Sequence, residues 1–438
     1  MTKTKLLGGL CSAALVFAVA AGPVFVLASA TTALAQEEKK EAPKPKTTKV
    51  QAMNKPTFEA LTKAQAAIET KAYAEAKTIL DGISASDKLN EYERASVFQT
   101  YAYMYAEQEN YQGAIDSFRK SVAISNPAEG KGLPQAQLTS TMYNLGQLYM
   151  VIEQYAQAAQ QLEEWRKTVD TVNGAALALM ATAYFQLENF DKALPLIKEA
   201  IKITADAREN WYQLELAIYL ERENYKEALA LLETMVPKFP NNKTYWIQLS
   251  AIYNELGKEK ESFVVFDAAH KLGFITEEKD IVRLARLYMF HENPYKGAVL
   301  LEKSFKANQI QRTPENLEAV ANAYFNAREY KKAIPWLKEA ADKSSNGTLE
   351  MRLCQAQLQL NQYKDAEDAC KSAIDKKGLK DEGAAWVTLC ISQIEQKKWG
   401  PARNSCTSAS KFKDKANDAA QWLKYIDSRA KEAQLAAN

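Results

Sequence analysis

A pattern of apolar positions repeats from about residue 56 to the end of the chain. An aromatic residue is followed three positions later by alanine, as in Tyr111 and Ala114 or in Tyr330 and Ala333. An apolar residue usually comes four positions after that alanine, so the apolar residues fall at i, i+3, i+4 and i+7 on one helical face. Each repeat is therefore predicted to be a pair of helices joined by short turns, with the aromatic residue near the start of the second helix.

The aromatic position recurs ten times, mostly at intervals of 33–36 residues. It is occupied by Tyr73, Tyr111, Tyr155, Phe190, Tyr225, Glu259, Tyr295, Tyr330, Tyr363 and Trp399. A single helix pair cannot bury its own apolar face, so neighbouring pairs must stack. The sequence therefore predicts an all-α protein, an α-solenoid of about ten pairs over residues 56–415. Residues 416–438 are predicted to form a capping helix and tail, with the amphipathic stretch at 416–434 covering the last repeat.

The repeat resembles that of the tetratricopeptide repeat (TPR) family, and the resemblance covers about 380 residues. The residues that carry it best are Trp246-x-x-Leu249-Ser250-x-x-Tyr253, Leu145-Gly146-x-x-Tyr149, Trp211-x-x-Leu214, Ala193, Ile197, Ala200 and Phe239-Pro240. The resemblance to this family implies a right-handed solenoid. The chain departs from the family pattern at Gln357 and Gln393, where tyrosine is expected, and by an extra residue near Asn293-Pro294.

The first 35 residues have the order of a secretory signal. Lys3 and Lys5 precede an apolar run at 10–21, and Ala33-Leu34-Ala35 forms a processing site. Cleavage is expected after Ala35, with the site at 28–30 as the second choice and an uncleaved anchor as the alternative. Residues 36–55 are charged and contain two prolines, which indicates a flexible linker. These features predict a periplasmic protein of a Gram-negative bacterium, with no transmembrane segment after the signal is removed.

Composition excludes several classes of function. Lys and Arg total 56 against 54 for Asp and Glu, so no global positive charge favours nucleic-acid binding. The two histidines, His270 and His291, are expected to be solvated or capping residues. No nucleophile elbow, phosphate-binding loop or metalloprotease motif occurs. We therefore expect no catalytic residues, no cofactor and no metal site.

Two pairs of cysteines share one spacing. Cys354 and Cys370 are 16 residues apart, as are Cys390 and Cys406. With Cys11 removed, an even number of cysteines remains in an oxidising compartment. The predicted disulfides are Cys354–Cys370 and Cys390–Cys406, each within one helix pair. The alternatives are a Cys370–Cys390 disulfide, four reduced core thiols and a zinc site.

In TPR proteins the first helices of the pairs line a concave groove that holds peptides. The residues of this chain at the corresponding positions of its predicted first helices are Gln99, Tyr103, Tyr143, Gln147, Met150, Phe185, Gln213, Ile247, Asn254, Arg286, Asn322 and Phe325. Aromatic rings and amides suit peptide recognition, and the alternative is that the rings only pack between helices. These positions carry no cluster of Lys and Arg residues of the kind that binds a terminal carboxylate. The loop at 125–136 and the lysine-rich stretch at 371–415 are the other candidate surfaces.

These observations favour a non-catalytic periplasmic scaffold that binds peptide segments of cell-envelope proteins. The order of signal, tether and array also looks like that of the periplasmic TPR proteins that accompany TonB-type energy-transduction systems. One alternative is an adaptor in outer-membrane assembly or polysaccharide export. An alternative of another class is a subunit of an enzyme that acts on the cell wall.

Overall fold

The computed structural model describes residues 52–437. The predicted signal peptide and nearly all of the predicted linker lie outside the described residues. By their internal contacts the described residues form two compact units, 52–228 and 229–437. The boundary falls inside one helix, Tyr225–Lys238.

The described part of the chain is built from 21 α-helices and one 3₁₀ turn at Pro127–Glu129. The first ten helices are α1 (Lys55–Glu69), α2 (Tyr73–Ser84), α3 (Glu91–Glu107), α4 (Tyr111–Ile124), α5 (Gln135–Val151), α6 (Tyr155–Arg166), α7 (Gly174–Gln186), α8 (Phe190–Ile203), α9 (Glu209–Glu221) and α10 (Tyr225–Lys238). The remaining helices are α11 (Lys243–Glu255), α12 (Glu259–Lys271), α13 (Glu278–Phe290), α14 (Pro294–Lys306), α15 (Pro314–Asn326), α16 (Tyr330–Asp342), α17 (Thr348–Gln359), α18 (Tyr363–Lys376), α19 (Glu382–Glu395), α20 (Trp399–Ala409) and α21 (Ala416–Ala437). The predicted all-α solenoid of helix pairs is confirmed. Among the described helices, none combines the length and the apolar character needed to cross a membrane.

Each predicted aromatic position lies at the start of a second helix, as expected. It is the first residue in nine pairs, and Tyr295 is the second residue of α14. The alanine three positions later is fully buried, as at Ala114 and Ala333, because a small side chain lets the two helices approach closely. Gly146 serves the same purpose on α5, since a Cβ there would lie 2.7 Å from the side chain of Leu162.

The first helices end in a common turn. The N–H of Glu109 donates to the carbonyl of Ala106, and the N–H of Asn110 donates to that of Tyr105. These bonds form a Schellman motif, whose residue of positive φ ends the helix. That residue is Lys71, Glu109, Glu153, Glu188, Glu223, Gly257, Glu292, Arg328, Asn361 or Lys397 in successive pairs. It lies two positions before the aromatic position except at Glu292, three before Tyr295, which confirms the extra residue expected there.

Tyrosines of the first helices also join successive pairs. The phenol of Tyr184 donates a 2.9 Å hydrogen bond from α7 to Glu163 on α6, the second helix of the preceding pair. The same contact recurs as Tyr253–Glu233, Tyr288–Asp267 and Tyr324–Glu302. A carboxylate acceptor strengthens such a bond, so the recurring tyrosine stabilises the stacking of pairs as well as the packing within one.

Gln393 replaces that tyrosine in the last pair and keeps the link between helices. Its amide donates to Glu367 on α18 at 3.1 Å and accepts from Ser405 on α20 at 2.8 Å. Glu367 is 4% exposed and also accepts hydrogen bonds from Lys371 and Lys398, each at 2.7 Å. Burial alone would raise the pKa of Glu367, but these bonds outweigh it and lower the pKa to about 2.

The cysteines pair within helix pairs, as predicted. A disulfide joins Cys354 on α17 to Cys370 on α18, with the Cα atoms 5.2 Å apart. A second joins Cys390 on α19 to Cys406 on α20, with the Cα atoms 5.3 Å apart. All four residues are fully buried. The alternative pairing of Cys370 with Cys390 is wrong, and the two crosslinks lie in successive pairs of the second unit.

Candidate functional site

The predicted groove residues of the first unit all lie on first helices. Gln99 and Tyr103 belong to α3, and Tyr143 and Gln147 belong to α5. Their side chains are half-buried, as are those of Phe185 on α7 and Gln213 on α9. Two hydrogen bonds join α3 to α5: Gln99 donates to Thr141 at 2.7 Å, and Asn144 donates to the phenol of Tyr103 at 3.4 Å.

The aromatic rings among these residues pack against the second helix of their own pair. The ring of Tyr103 meets Phe118 edge-on with centroids 5.3 Å apart, and Tyr143 lies 4.9 Å from Trp165. Burial raises the pKa of both Tyr103 and Tyr143. These contacts support the interpretation that the rings pack between helices, and they do not test peptide binding.

The second unit holds the remaining predicted residues, which are Ile247, Asn254, Arg286, Asn322 and Phe325. Asn254 is exposed on α11, and Asn322 and Phe325 are half-buried on α15. Asn322 accepts a hydrogen bond from Arg352 on α17, and the guanidinium of Arg352 lies 5.9 Å from the ring centroid of Phe325. These three side chains therefore form one contiguous polar and aromatic contact between two successive first helices. Phe325 also packs on Tyr330 of its own pair, with centroids 5.5 Å apart.

A cleft opens on α13 in the second unit. This α13 cleft is lined by Glu278, Lys279, Val282, Arg283, Arg286, Leu287 and Asn316. The amide of Asn316 on α15 donates a 2.6 Å hydrogen bond to Glu278, which fixes one end of the cleft. Leu287, which is half-buried, supplies apolar surface next to the exposed side chain of Arg286, and the buried Val282 also lines the cleft.

The α13 cleft carries a basic cluster that the sequence analysis did not find. Lys279, Arg283 and Arg286 are exposed and line the same cleft. Lys279 is ion-paired with Glu277 at 2.8 Å, and the guanidinium of Arg283 lies 4.7 Å from the centroid of Phe266. The expectation that the first helices lack such a cluster is wrong at α13. The signal was present in the sequence, because spacings of four and three place the cations on one helical face.

Among the described residues, the groups closest to what acid–base chemistry needs are the two histidines and Glu215, a buried carboxylate with a raised pKa. His291 ends α13 and stacks on Phe263 with centroids 4.5 Å apart, and His270 lies in the last turn of α12. Both histidines are half-buried, so they are less solvated than expected. Burial raises the pKa of Glu215, whose carboxylate accepts a 3.2 Å bond from Tyr219 one turn along the same helix.

Comparison with known families agrees with the observed repeat geometry. The model of the tetratricopeptide repeat matches residues 143–211, which include α6, α7 and α8. The chain is a TPR protein. The model named anaphase-promoting complex, cyclosome, subunit 3 matches residues 291–373 of this TPR array. No curated protein matches the chain significantly.

Several solved structures are similar to parts of this TPR protein. YrrB, described as a TPR protein with an unusual peptide-binding site, is 14% identical, with a TM-score of 0.36, over 46% of this chain and 94% of YrrB. The Naa15/Naa10 complex bound to HypK-THB is 14% identical, with a TM-score of 0.40, over 87% of this chain and 66% of that chain. The Cut9–Hcn1 heterotetramer of APC/C is 15% identical, with a TM-score of 0.30, over 84% of this chain and 90% of that chain.

Proposed function

We propose that this TPR protein is a non-catalytic periplasmic scaffold that binds peptide segments of cell-envelope proteins through its first helices. A TPR array is a protein-binding scaffold, and that general role follows from the family. The observation that carries the narrower proposal is the α13 cleft. There an apolar surface and three cations lie together on a first helix, which is the part of a TPR pair that receives peptides.

The lining of the α13 cleft defines the kind of peptide that fits it. Leu287 offers contact to an apolar side chain, and Arg286 offers a planar donor for a carboxylate. A segment with an acidic residue beside an apolar one would satisfy both. Lys279 and Arg283 add positive potential, so association should weaken as salt concentration rises.

The periplasmic part of the proposal rests on the signal sequence and has its own test. Cell fractionation should place the protein in the periplasm, and its first residue should be Gln36. A protein recovered from the membrane fraction with residues 1–35 still attached would contradict this part and would indicate an anchored scaffold.

Binding by the first helices can be tested by photocrosslinking in intact cells. A benzoylphenylalanine at position 286 should crosslink to a cell-envelope protein, because this position faces the α13 cleft. The same probe at position 303, an exposed lysine on the second helix α14, is the control and should give no such product. Equal crosslinking from both positions, or none from position 286, would contradict the proposal.

The identity of the crosslinked protein distinguishes between the more specific functional hypotheses. A TonB-dependent transporter or a component of its energy-transduction system would support the TonB-linked assignment, which rests on the order of signal, tether and array. An outer-membrane assembly factor or a polysaccharide exporter would support the alternative adaptor role. A cell-wall enzyme as the partner would make this chain an enzyme subunit.

A further inference from the structure

A second cleft lies in the first unit, between two second helices. One wall is the face of α4 that carries Gln112, Ile115 and Arg119, spaced by three and four residues. The opposite wall is α6. The intervening helix α5 packs against both α4 and α6, and its Tyr149 lies at the base of the cleft, 8% exposed. The cleft is thus formed by two separate helices, α4 and α6, with α5 between them at its base.

Amide side chains dominate this lining. We call it the glutamine cleft, and its amides are Gln112, Gln154, Gln157, Gln160 and Gln161. The last three lie at i, i+3 and i+4 on α6, so they share one helical face. Gln157 and Gln160 are exposed, and Gln161 is half-buried. None of the predicted groove residues lines this cleft.

One amide in the glutamine cleft has an unmet hydrogen-bonding requirement. The side-chain Nε2 of Gln161 is buried and has no hydrogen-bond partner. A buried donor without an acceptor is unfavourable, and its presence calls for an explanation. A rotation of this side chain towards the cleft would let the amide donate to a carbonyl group of a ligand.

The charges of the glutamine cleft nearly cancel. Arg119 is the one cation of the lining and Glu164 the one anion, and Glu164 is ion-paired with Lys167 at 2.6 Å. The apolar members, Ile115 and Tyr149, are both buried. The accessible part of the lining is therefore mostly neutral and polar, so it is complementary neither to a strongly charged ligand nor to a strongly apolar one.

We propose that the glutamine cleft is a second binding site, which holds an extended peptide through its main chain. Each carboxamide presents two donors and one acceptor, and an extended backbone offers alternating N–H and C=O groups to match them. A carbohydrate could also bond to amides, but sugar rings are generally recognised on an exposed aromatic face, and the only ring in this lining is the buried Tyr149. The proposal is independent of the α13 cleft, which lies in the other unit.

Phage display with a random 12-residue library tests the proposal, with the purified mature Arg286→Gln variant as bait so that ligands of the α13 cleft are not selected. Enriched peptides should bind in fluorescence anisotropy, and the double variant Gln157→Ala/Gln160→Ala should weaken them at least about tenfold. Alanine is favourable in a helix, so the variant should keep the melting temperature of the wild type. Gln421→Ala, an exposed glutamine on α21, is the matched control, and Arg286→Gln should also leave this binding unchanged.

The chemistry of the bound peptide provides the decisive comparison. Methylation of the main-chain nitrogens of the best peptide should abolish binding, because it removes the N–H groups that would donate hydrogen bonds to the glutamine side chains. Chitohexaose and maltohexaose, titrated in the same way, should not bind. The proposal is overturned if no peptide is enriched, if enriched peptides bind the double variant or tolerate N-methylation, or if either sugar binds in a glutamine-dependent manner.

Discussion

Replacing Glu367 by glutamine should destabilise the second unit, and the loss should disappear in acid. The carboxylate of Glu367 accepts four side-chain hydrogen bonds from within α18 and from the region of α19, and two of the donors are lysines. Glutamine has nearly the same shape but carries no charge and only one acceptor oxygen. The substitution therefore removes the charge-assisted bonds and leaves the packing intact.

The size of the effect follows from the pKa. In the folded protein the pKa of Glu367 is about 2, against an ordinary value of 4.5. A difference of one pKa unit corresponds to about 1.4 kcal/mol, so the ionised carboxylate should contribute roughly 3 kcal/mol of folding free energy at pH 7. Because the folded pKa is the lower one, this contribution is present above pH 4.5 and is lost as pH falls towards 2. At pH 3 it should be about 1.4 kcal/mol.

Hydrogen exchange of the amides in α18 and α19 is the appropriate assay, because repeat arrays do not always unfold in one step. Opening free energies of the wild type and Glu367→Gln should differ by about 3 kcal/mol at pH 7, and the difference should fall to less than half of that at pH 3. Glu395→Gln, an exposed position at the end of α19, should change them by less than about 0.5 kcal/mol. A difference between wild type and Glu367→Gln that stays constant with pH would refute the reasoning.

Three further outcomes follow from local geometry. Changing Cys354 and Cys370 together to serine should cost about 3 kcal/mol in urea unfolding, and four thiols open to alkylation in periplasmic protein would contradict both disulfides. Gly347→Ala should lower the melting temperature, because the new Cβ would lie 2.0 Å from a backbone oxygen, whereas Gly82→Ala meets nothing within 4 Å and should add roughly 0.5–1 kcal/mol. Tyr143→Ala should cost about 3 kcal/mol of stability, and an unchanged melting temperature would show that its ring is not part of the packing.

The sequence predicted the repeat because helix pairing depends on local spacing. Buried alanines such as Ala114 and aromatic residues such as Tyr111 recur in the same phase in most pairs, so many weak signals agreed on the same boundaries. The cysteine spacing predicted the disulfides for the same reason, since equivalent positions in a repeat have equivalent neighbours. Cys354 and Cys390 each precede their partners by 16 residues.

Features that depend on two separate helices could not be derived in this way. The network at Glu367 involves residues 26 to 31 positions away, and Gln393 was visible in the sequence only as a departure from the pattern. The glutamine cleft likewise needs α4 and α6 to face each other across α5. For groove residues such as Tyr143, the repeat pattern predicted the correct helix. It did not predict how deeply the ring is buried, which depends on its contact with Trp165.

The central claim is that a first helix of this TPR protein binds a peptide, and titration of the crosslinked segment tests it most directly. A synthetic peptide that spans the segment captured from position 286 should bind the wild-type protein in fluorescence anisotropy, more weakly as salt concentration rises. Arg286→Gln should raise the Kd at least about tenfold, whereas Lys303→Gln on α14 should change it less than about twofold. Equal affinities for the wild type and Arg286→Gln, or an equal loss from Lys303→Gln, would contradict the account.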